Sequence, residues 1–367
     1  MIKLKRISVE GFRSIRSLKD LEFGSLNVLI GANGAGKSNL VQLFRMLNWM
    51  ASSPGGLPDW VAMHGLADAN LFDGAQTTPE LKLVIDFAGS QVGDYQYFAR
   101  LAHAPGDSLV FREERIRCAE TAQSPWAETL AANRRRSGLH DEVVIKTAKV
   151  LLEAFKGIAA YQFHNTSERA PLRQSPNKED NFALVGDGAN LGPYLLRLAN
   201  DYPHRYRRIC DTLQQIAPYF ADFVLEPQHD TVALRWREAG TDRVFHASQM
   251  SDGTLRTVAL LTVLLQPVEL QPAVMILDEP ELGLHPFAVE TIGGLLRSAS
   301  IDRQIIVCTQ SPDLLNEFEP EEVITVERRG RESVFKRLDM AGLSHWLDAY
   351  SLSDLWQKNV LGGGPTG

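Results

Sequence analysis

Gly31-Ala32-Asn33-Gly34-Ala35-Gly36-Lys37-Ser38 decides how this chain folds. The stretch fits Gly-x4-Gly-Lys-Ser, whose glycines let backbone N–H groups turn inward onto phosphate oxygens. Just before it, Leu26–Ile30 is a short apolar run that suits a buried strand. Just after it, Leu40, Leu43, Phe44 and Leu47 fall at helical spacing and predict a helix from Asn39 to Met50. Strand, glycine-rich loop and helix, in that order, are the context of the phosphate-binding loop called Walker A. The helix offers its positive N-terminus to the phosphates. Lys37 is expected to neutralise the β- and γ-phosphates of ATP, and the Ser38 hydroxyl to ligate Mg2+. Gly31, Asn33, Gly34, Ala35, Gly36 and Asn39 complete the expected nucleotide contacts.

Far along the chain, Val274-Met275-Ile276-Leu277-Asp278-Glu279-Pro280 is an apolar strand ending in two carboxylates. Alone it reads equally as a solvated acidic turn. With a phosphate loop in the same chain it reads as Walker B. Asp278 is then expected to hold magnesium, directly or through water, and Glu279 to act as general base on the attacking water.

The rest of the chain sets these motifs in an α/β frame. Residues 2–10 look strand-like, and Leu81–Phe87, Tyr95–Ala102 and Leu109–Arg117 predict an antiparallel meander. The pattern changes from about Pro125. Val144, Ala148, Leu151, Leu152 and Phe155 share one helical face, and residues 158–163 read as a strand. Residues 165–181 are polar and rich in breakers, so a mobile loop is expected. Leu191, Leu195 and Leu198 predict one further helix, and Tyr206, Ile209, Leu213, Ile216 and Phe220 another. A hairpin at 231–237 and 243–247, a helix at 254–266 and buried strands at Ala273–Leu277 and Gln304–Cys308 follow. The expected organisation is an N-terminal ATPase lobe (1–124), a mostly helical insertion (125–222), a C-terminal ATPase lobe (223–340) and a C-terminal helix and tail (341–367).

Composition excludes little and agrees with this. Of 367 residues, 44% are hydrophobic and 23% charged, so a substantial core is expected. A net charge of -7 argues against an overall basic surface but leaves room for a local basic groove. Arg134-Arg135-Arg136 and Arg205, Arg207 and Arg208 read either as DNA contacts or as solvated helix faces. No apolar stretch is long enough for a membrane span, and the N-terminus lacks a secretory pattern. Three isolated cysteines, Cys118, Cys210 and Cys308, suit a reducing cytoplasm.

Ser248-Gln249-Met250-Ser251-Asp252-Gly253-Thr254 stands before the helix that leads into the Asp278 strand. There it resembles the Leu-Ser-Gly-Gly-Gln signature of ABC-type ATPases, keeping the serine and the second glycine. The resemblance implies that Ser251 and the Gly253 amide bind the γ-phosphate held by a second protomer. Asp252 departs from the pattern. The alternative is that Ser251 or Asp252 simply caps the helix.

A wider resemblance covers nearly the whole chain. Ile7-Ser8-Val9-Glu10-Gly11-Phe12-Arg13-Ser14 looks like the opening of RecF, SMC and OLD-type ATPases, and Glu279–Pro286 like their Walker B and D-loop. Thr309-Gln310-Ser311-Pro312 sits where that branch has Thr-His-Ser-Pro. Asp187-Gly188-Ala189-Asn190-Leu191 and Leu361-Gly362-Gly363-Gly364-Pro365 resemble a family of RecF-like bacterial ATPases. The resemblance implies an ABC-type core with an antiparallel β meander and a helical insertion, and a homodimer that sandwiches two ATP–magnesium units. Gln310 replaces the switch histidine. Glutamine donates and accepts hydrogen bonds but carries no positive charge, so slow or partner-stimulated hydrolysis is expected. Capping a loop is its other reading.

Arg13 either reaches the phosphates, as its counterpart in SMC-like proteins does, or lies at the surface. Gln162 and His164 stand near the expected Q-loop, where a core role is equally open. Fewer than thirty residues follow Leu338, too few for the nuclease domain of OLD-type proteins, so an effector protein such as a nuclease or toxin is an expected partner. Three readings result: an ATPase switch in DNA repair or anti-phage defence, an ATP-sensing regulator of an effector, and, fitting worst, a transporter subunit.

Overall fold

The computed structural model describes residues 2–89, 93–119, 128–141, 146–347 and 349–364. Strands β1 (Lys3–Phe12), β2 (Ile15–Glu22) and β3 (Leu26–Ile30) lead into helix α1 (Lys37–Ser52). Short helices α2 (Gly56–Met63) and α3 (Leu66–Asn70) precede strands β4 (Glu80–Ala88), β5 (Asp94–Ala104), β6 (Ser108–Ala119) and β7 (Glu128–Ala131). Helix α4 (Lys146–Lys156) and strand β8 (Ile158–Tyr161) follow, and then a long loop reaches α5 (Leu191–Asp201) and α6 (Pro203–Ile216). Next come β9 (Phe220–Val224), β10 (Arg235–Glu238), β11 (Val244–His246) and α7 (Asp252–Leu265). The last stretch holds β12 (Val274–Asp278), α8 (Pro286–Ala299), β13 (Gln304–Thr309), α9 (Pro312–Leu315), β14 (Val323–Arg329), β15 (Glu332–Arg337), α10 (Met340–Leu347) and α11 (Leu352–Gln357).

The strands form three sheets. One is antiparallel, in the order β2-β1-β4-β5-β6-β7. A small one, β11-β10-β9, lies beside α6. The third has the order β15-β14-β3-β13-β12-β8, and all but β15 run parallel. Strands β3, β12 and β13 are buried on both faces, which is why they read as unbroken apolar runs. Alternate residues enter different cores. Val28 and Ile30 of β3, Met275 and Leu277 of β12, and Ile305 and Val307 of β13 pack with α5 to α8. Leu29, Ile276 and Ile306 pack with α1 and the antiparallel sheet.

Gln304 joins the two large sheets. Its Oε1 accepts from the Leu4 amide at 2.9 Å, and its Nε2 donates to the carbonyls of Leu4 (2.7 Å) and Gly24 (2.8 Å).

Several expectations shift. Strand β8, read as part of the 125–222 insertion, is an edge strand of the parallel sheet, paired with β12. Phe220 opens β9 and does not extend α6, which ends at Ile216. The 165–181 stretch, expected to be mobile, is anchored. Ala170 and Leu172 are buried, and Arg173 is tied to residues far along the chain. Pro125, the 124/125 boundary, Val144 and Pro365 lie outside the described residues.

Candidate ATP site

The C-terminal ends of β3, β13, β12 and β8 lie side by side, the edge at which open α/β sheets bind ligands. Gly31 leaves β3 so close to its neighbour that a Cβ would lie 2.3 Å from the Val326 carbonyl oxygen. The loop then turns through Gly34 (φ 77°) and Gly36 (φ 112°), conformations that other residues resist. Gly36 is the N-cap of α1 and supplies no side-chain cap, which leaves first-turn amides for a ligand. Asn33, Gly34 and Ser38 are exposed, while Ala35 and Lys37 are buried. Lys37 Nζ donates to the carbonyls of Gly31 (2.5 Å) and Ala32 (3.3 Å). Burial pulls its ammonium below the usual lysine range, against the carboxylates of Glu279, Asp278 and Glu281, which hold it up.

Asp278 ends β12 and is 5% exposed. Burial raises its carboxyl above the usual range, and Glu279 adds to that, while His164, Arg45 and Lys37 oppose it. Gln162, just past β8, donates from Nε2 to Asp278 Oδ2 at 3.1 Å. Its Oε1 accepts from Arg45 at 3.3 Å. His164 Nε2 donates to the Asp278 carbonyl at 3.1 Å and lies 3.7 Å from Glu279 Oε2. Glu279 itself has φ 46°, a strained value for a glutamate, and strain of this kind gathers where function demands it. Its amide is held by the Cys308 carbonyl at 2.7 Å.

Glu281 went unnoticed in the sequence. It is buried, and its Oε1 accepts from Thr309 Oγ1 at 2.5 Å and from the Gln310 amide at 3.4 Å. It therefore ties the β12 end to the switch segment. Ser311, not Gln310, caps α9. Among the described residues the Gln310 side chain makes no hydrogen bond.

The signature segment is assembled differently. Ser251 caps α7, with Oγ accepting from the Thr254 amide at 3.1 Å. Gly253 packs on the D-loop, where a Cβ would lie 2.6 Å from the Gly283 carbonyl oxygen. Arg256, one turn on, donates to the carbonyls of Phe163, His164 and Leu282 and to Thr166 Oγ1. Among the described residues, no hydrogen bond of residues 247–256 runs to residues 31–38.

Residues 26–316 match the family described as "AAA domain, putative AbiEii toxin, Type IV TA system". The chain belongs to that AAA family. Solved structures agree on the fold of this AAA ATPase. An SMC head bound to the C-terminal winged-helix domain of ScpA is 16% identical, with a TM-score of 0.61, over 93% of this chain and 99% of that one. An SMC head with an extended coiled coil, bound to the C-terminal domain of ScpA derived from Pyrococcus furiosus, is 15% identical with a TM-score of 0.59, over 95% and 99%. The SMC head from Thermotoga maritima is 14% identical with a TM-score of 0.50, over 92% and 99%. No curated protein matches the sequence.

Other expected residues of this AAA ATPase fall as follows. Arg13 (φ 48°) donates from Nε and Nη2 to Asn70 Oδ1 at 3.1 and 3.0 Å. With Ser14, Asn39, Arg328 and Arg331 it lines a cavity of about 690 Å³ beside the start of α1. Asn39 Nδ2 donates to Ser14 Oγ at 2.6 Å, so its side chain braces the β1–β2 turn. Asn190, in the 187–191 motif, is fully buried and holds the carbonyls of Asp180 and Ala183 and the amide of Val185. The Gly363 carbonyl accepts from the Ala32 amide at 2.9 Å, placing the C-terminal tail on the nucleotide loop. Arg134 pairs with Asp141 at 2.6 Å, while Arg135, Arg136, Arg207 and Arg208 are exposed. No helix among the described residues is long and apolar enough to cross a membrane.

Proposed function

We propose that this AAA-family protein binds and hydrolyses ATP at a site shared between two copies of the chain and works as a conformational switch. The observation that carries the reading is the meeting of Lys37, Asp278, Gln162 and the strained Glu279 at neighbouring strand ends. Lys37 leaves its own loop carbonyls for the phosphates. Ser38 Oγ and an Asp278 carboxylate oxygen would form an all-oxygen donor set, which suits Mg2+, and Gln162 Oε1 would join them on leaving Arg45. The ion, when bound, neutralises charge on the phosphates. Glu279 takes a proton from water, with His164 Nε2 3.7 Å from its carboxylate. Ser251 and the Gly253 amide face the partner's nucleotide, and Arg256 links them to the D-loop and to the segment after Gln162. Closing and opening follow differential contacts with the γ-phosphate.

Glu279→Gln should trap an ATP-bound dimer. Gel filtration with ATP and Mg2+ that yields only monomer for this variant sinks the shared site.

Gln310 favours a slow, partner-dependent switch, since its side chain is neutral and unengaged. The family's description, which names a toxin–antitoxin system, and the ScpA-bound SMC heads support control of an effector protein over a purely DNA-directed role. Turnover that rises only with a co-purifying protein supports that choice. Turnover that rises with DNA alone supports repair or another DNA-directed role.

A further inference from the structure

We propose that Arg173 is a positioning residue for the signature segment, cancelling the charge of Asp252 so that a partner's phosphate can approach Ser251 and the Gly253 amide. The proposal rests on the shared-site reading above. Asp252 occupies a place where glycine is usual in the signature it resembles, and its side chain is 60% exposed, next to Ser251. A carboxylate there repels a triphosphate unless another charge offsets it.

Arg173 supplies that charge from the long loop between β8 and α5. Its side chain is only 7% exposed, and Nη2 lies 2.8 Å from Asp252 Oδ1. The rest of the guanidinium is spent on backbone. Nε donates to the Thr166 carbonyl at 2.8 Å, Nη1 to the Ala247 carbonyl, and both terminal nitrogens reach the Met250 carbonyl at 3.3 and 3.4 Å. These fixed donors set the curvature of residues 247–252 from one side. The arginine is itself held, because Ala170 and Leu172 beside it are buried. Ion pairs with exposed carboxylates add little to stability, so the effect of this pair belongs to the field at the surface offered to the partner. Asp252 also lies in the first turn of α7, where an acidic group favours the helix.

The test uses the full chain carrying Glu279→Gln and reads ATP-dependent dimerisation by sedimentation, with nucleotide binding to the monomer measured separately. Arg173→Ala should weaken the dimer at least tenfold, less at high salt, while monomer affinity for ATP stays unchanged. Adding Asp252→Gly should restore the dimer. Asp252→Gly alone, at an exposed position that tolerates change, should tighten it threefold or more. A dimer unaffected by Arg173→Ala overturns the proposal. So does a loss that Asp252→Gly leaves unrepaired, since Arg173 then acts only through loop structure, and so does an Asp252→Gly dimer no tighter than its parent. If the Glu279→Gln parent stays monomeric with ATP, the failure lies in the shared site itself.

Discussion

Gln310 shows what a single residue can set. It follows β13 beside the Asp278 strand, with its amide on Glu281 and its side chain unengaged. A histidine there could carry charge to the γ-phosphate, and a charge-assisted hydrogen bond exceeds a neutral one by about 1 kcal/mol. Gln310→His is therefore expected to raise turnover roughly fivefold to tenfold, read as phosphate release under saturating ATP. An unchanged rate would remove Gln310 as the brake. At this scale the sequence was readable where chemistry is local. Gly31 to Ser38 is one continuous turn, and Asp278 and Glu279 follow one strand. Gln162 and Arg173 resisted reading because their partners lie 116 and 79 residues away. Glu281 was hidden differently. It sits in an acidic stretch that looks solvated, and only the fold buries it against Thr309.

Among elements, the parallel strands were the most legible because burial on both faces removes alternation and leaves runs such as Val28-Leu29-Ile30. β8 was seen as a strand but not as a neighbour of β12, because pairing across a long separation leaves no mark in composition. β14 and β15 carry charged residues at their far ends and escaped notice. The junction of β1 with β13 rests on Gln304. Replacing it by Ala leaves the Leu4 amide and carbonyl and the Gly24 carbonyl without that partner. The expected loss is about 3 kcal/mol, measured by urea unfolding. A loss below about 1 kcal/mol would mean that water or neighbouring groups replace the side chain.

For the whole molecule, the parallel sheet is shared. Leu29 and Val28 are adjacent in sequence but belong to different cores, and β3 takes its neighbours from β13 and β14, nearly 300 residues on. Lobes drawn along the sequence are thus not folding units. Residues 1–141 expressed alone are expected to lack a cooperative thermal transition by circular dichroism, since β3 would have no partner strands. A sharp melt of that fragment would show that the antiparallel sheet and α1 suffice. The tail has a practical consequence of the same origin. Its Gly363 carbonyl rests on the Ala32 amide, and its course is fixed by Asn359, whose Oδ1 accepts from the Gly364 amide. A dye attached within residues 359–364 therefore sits beside the Gly31–Ser38 loop, where it can perturb turnover measurements or be turned into an optical reporter.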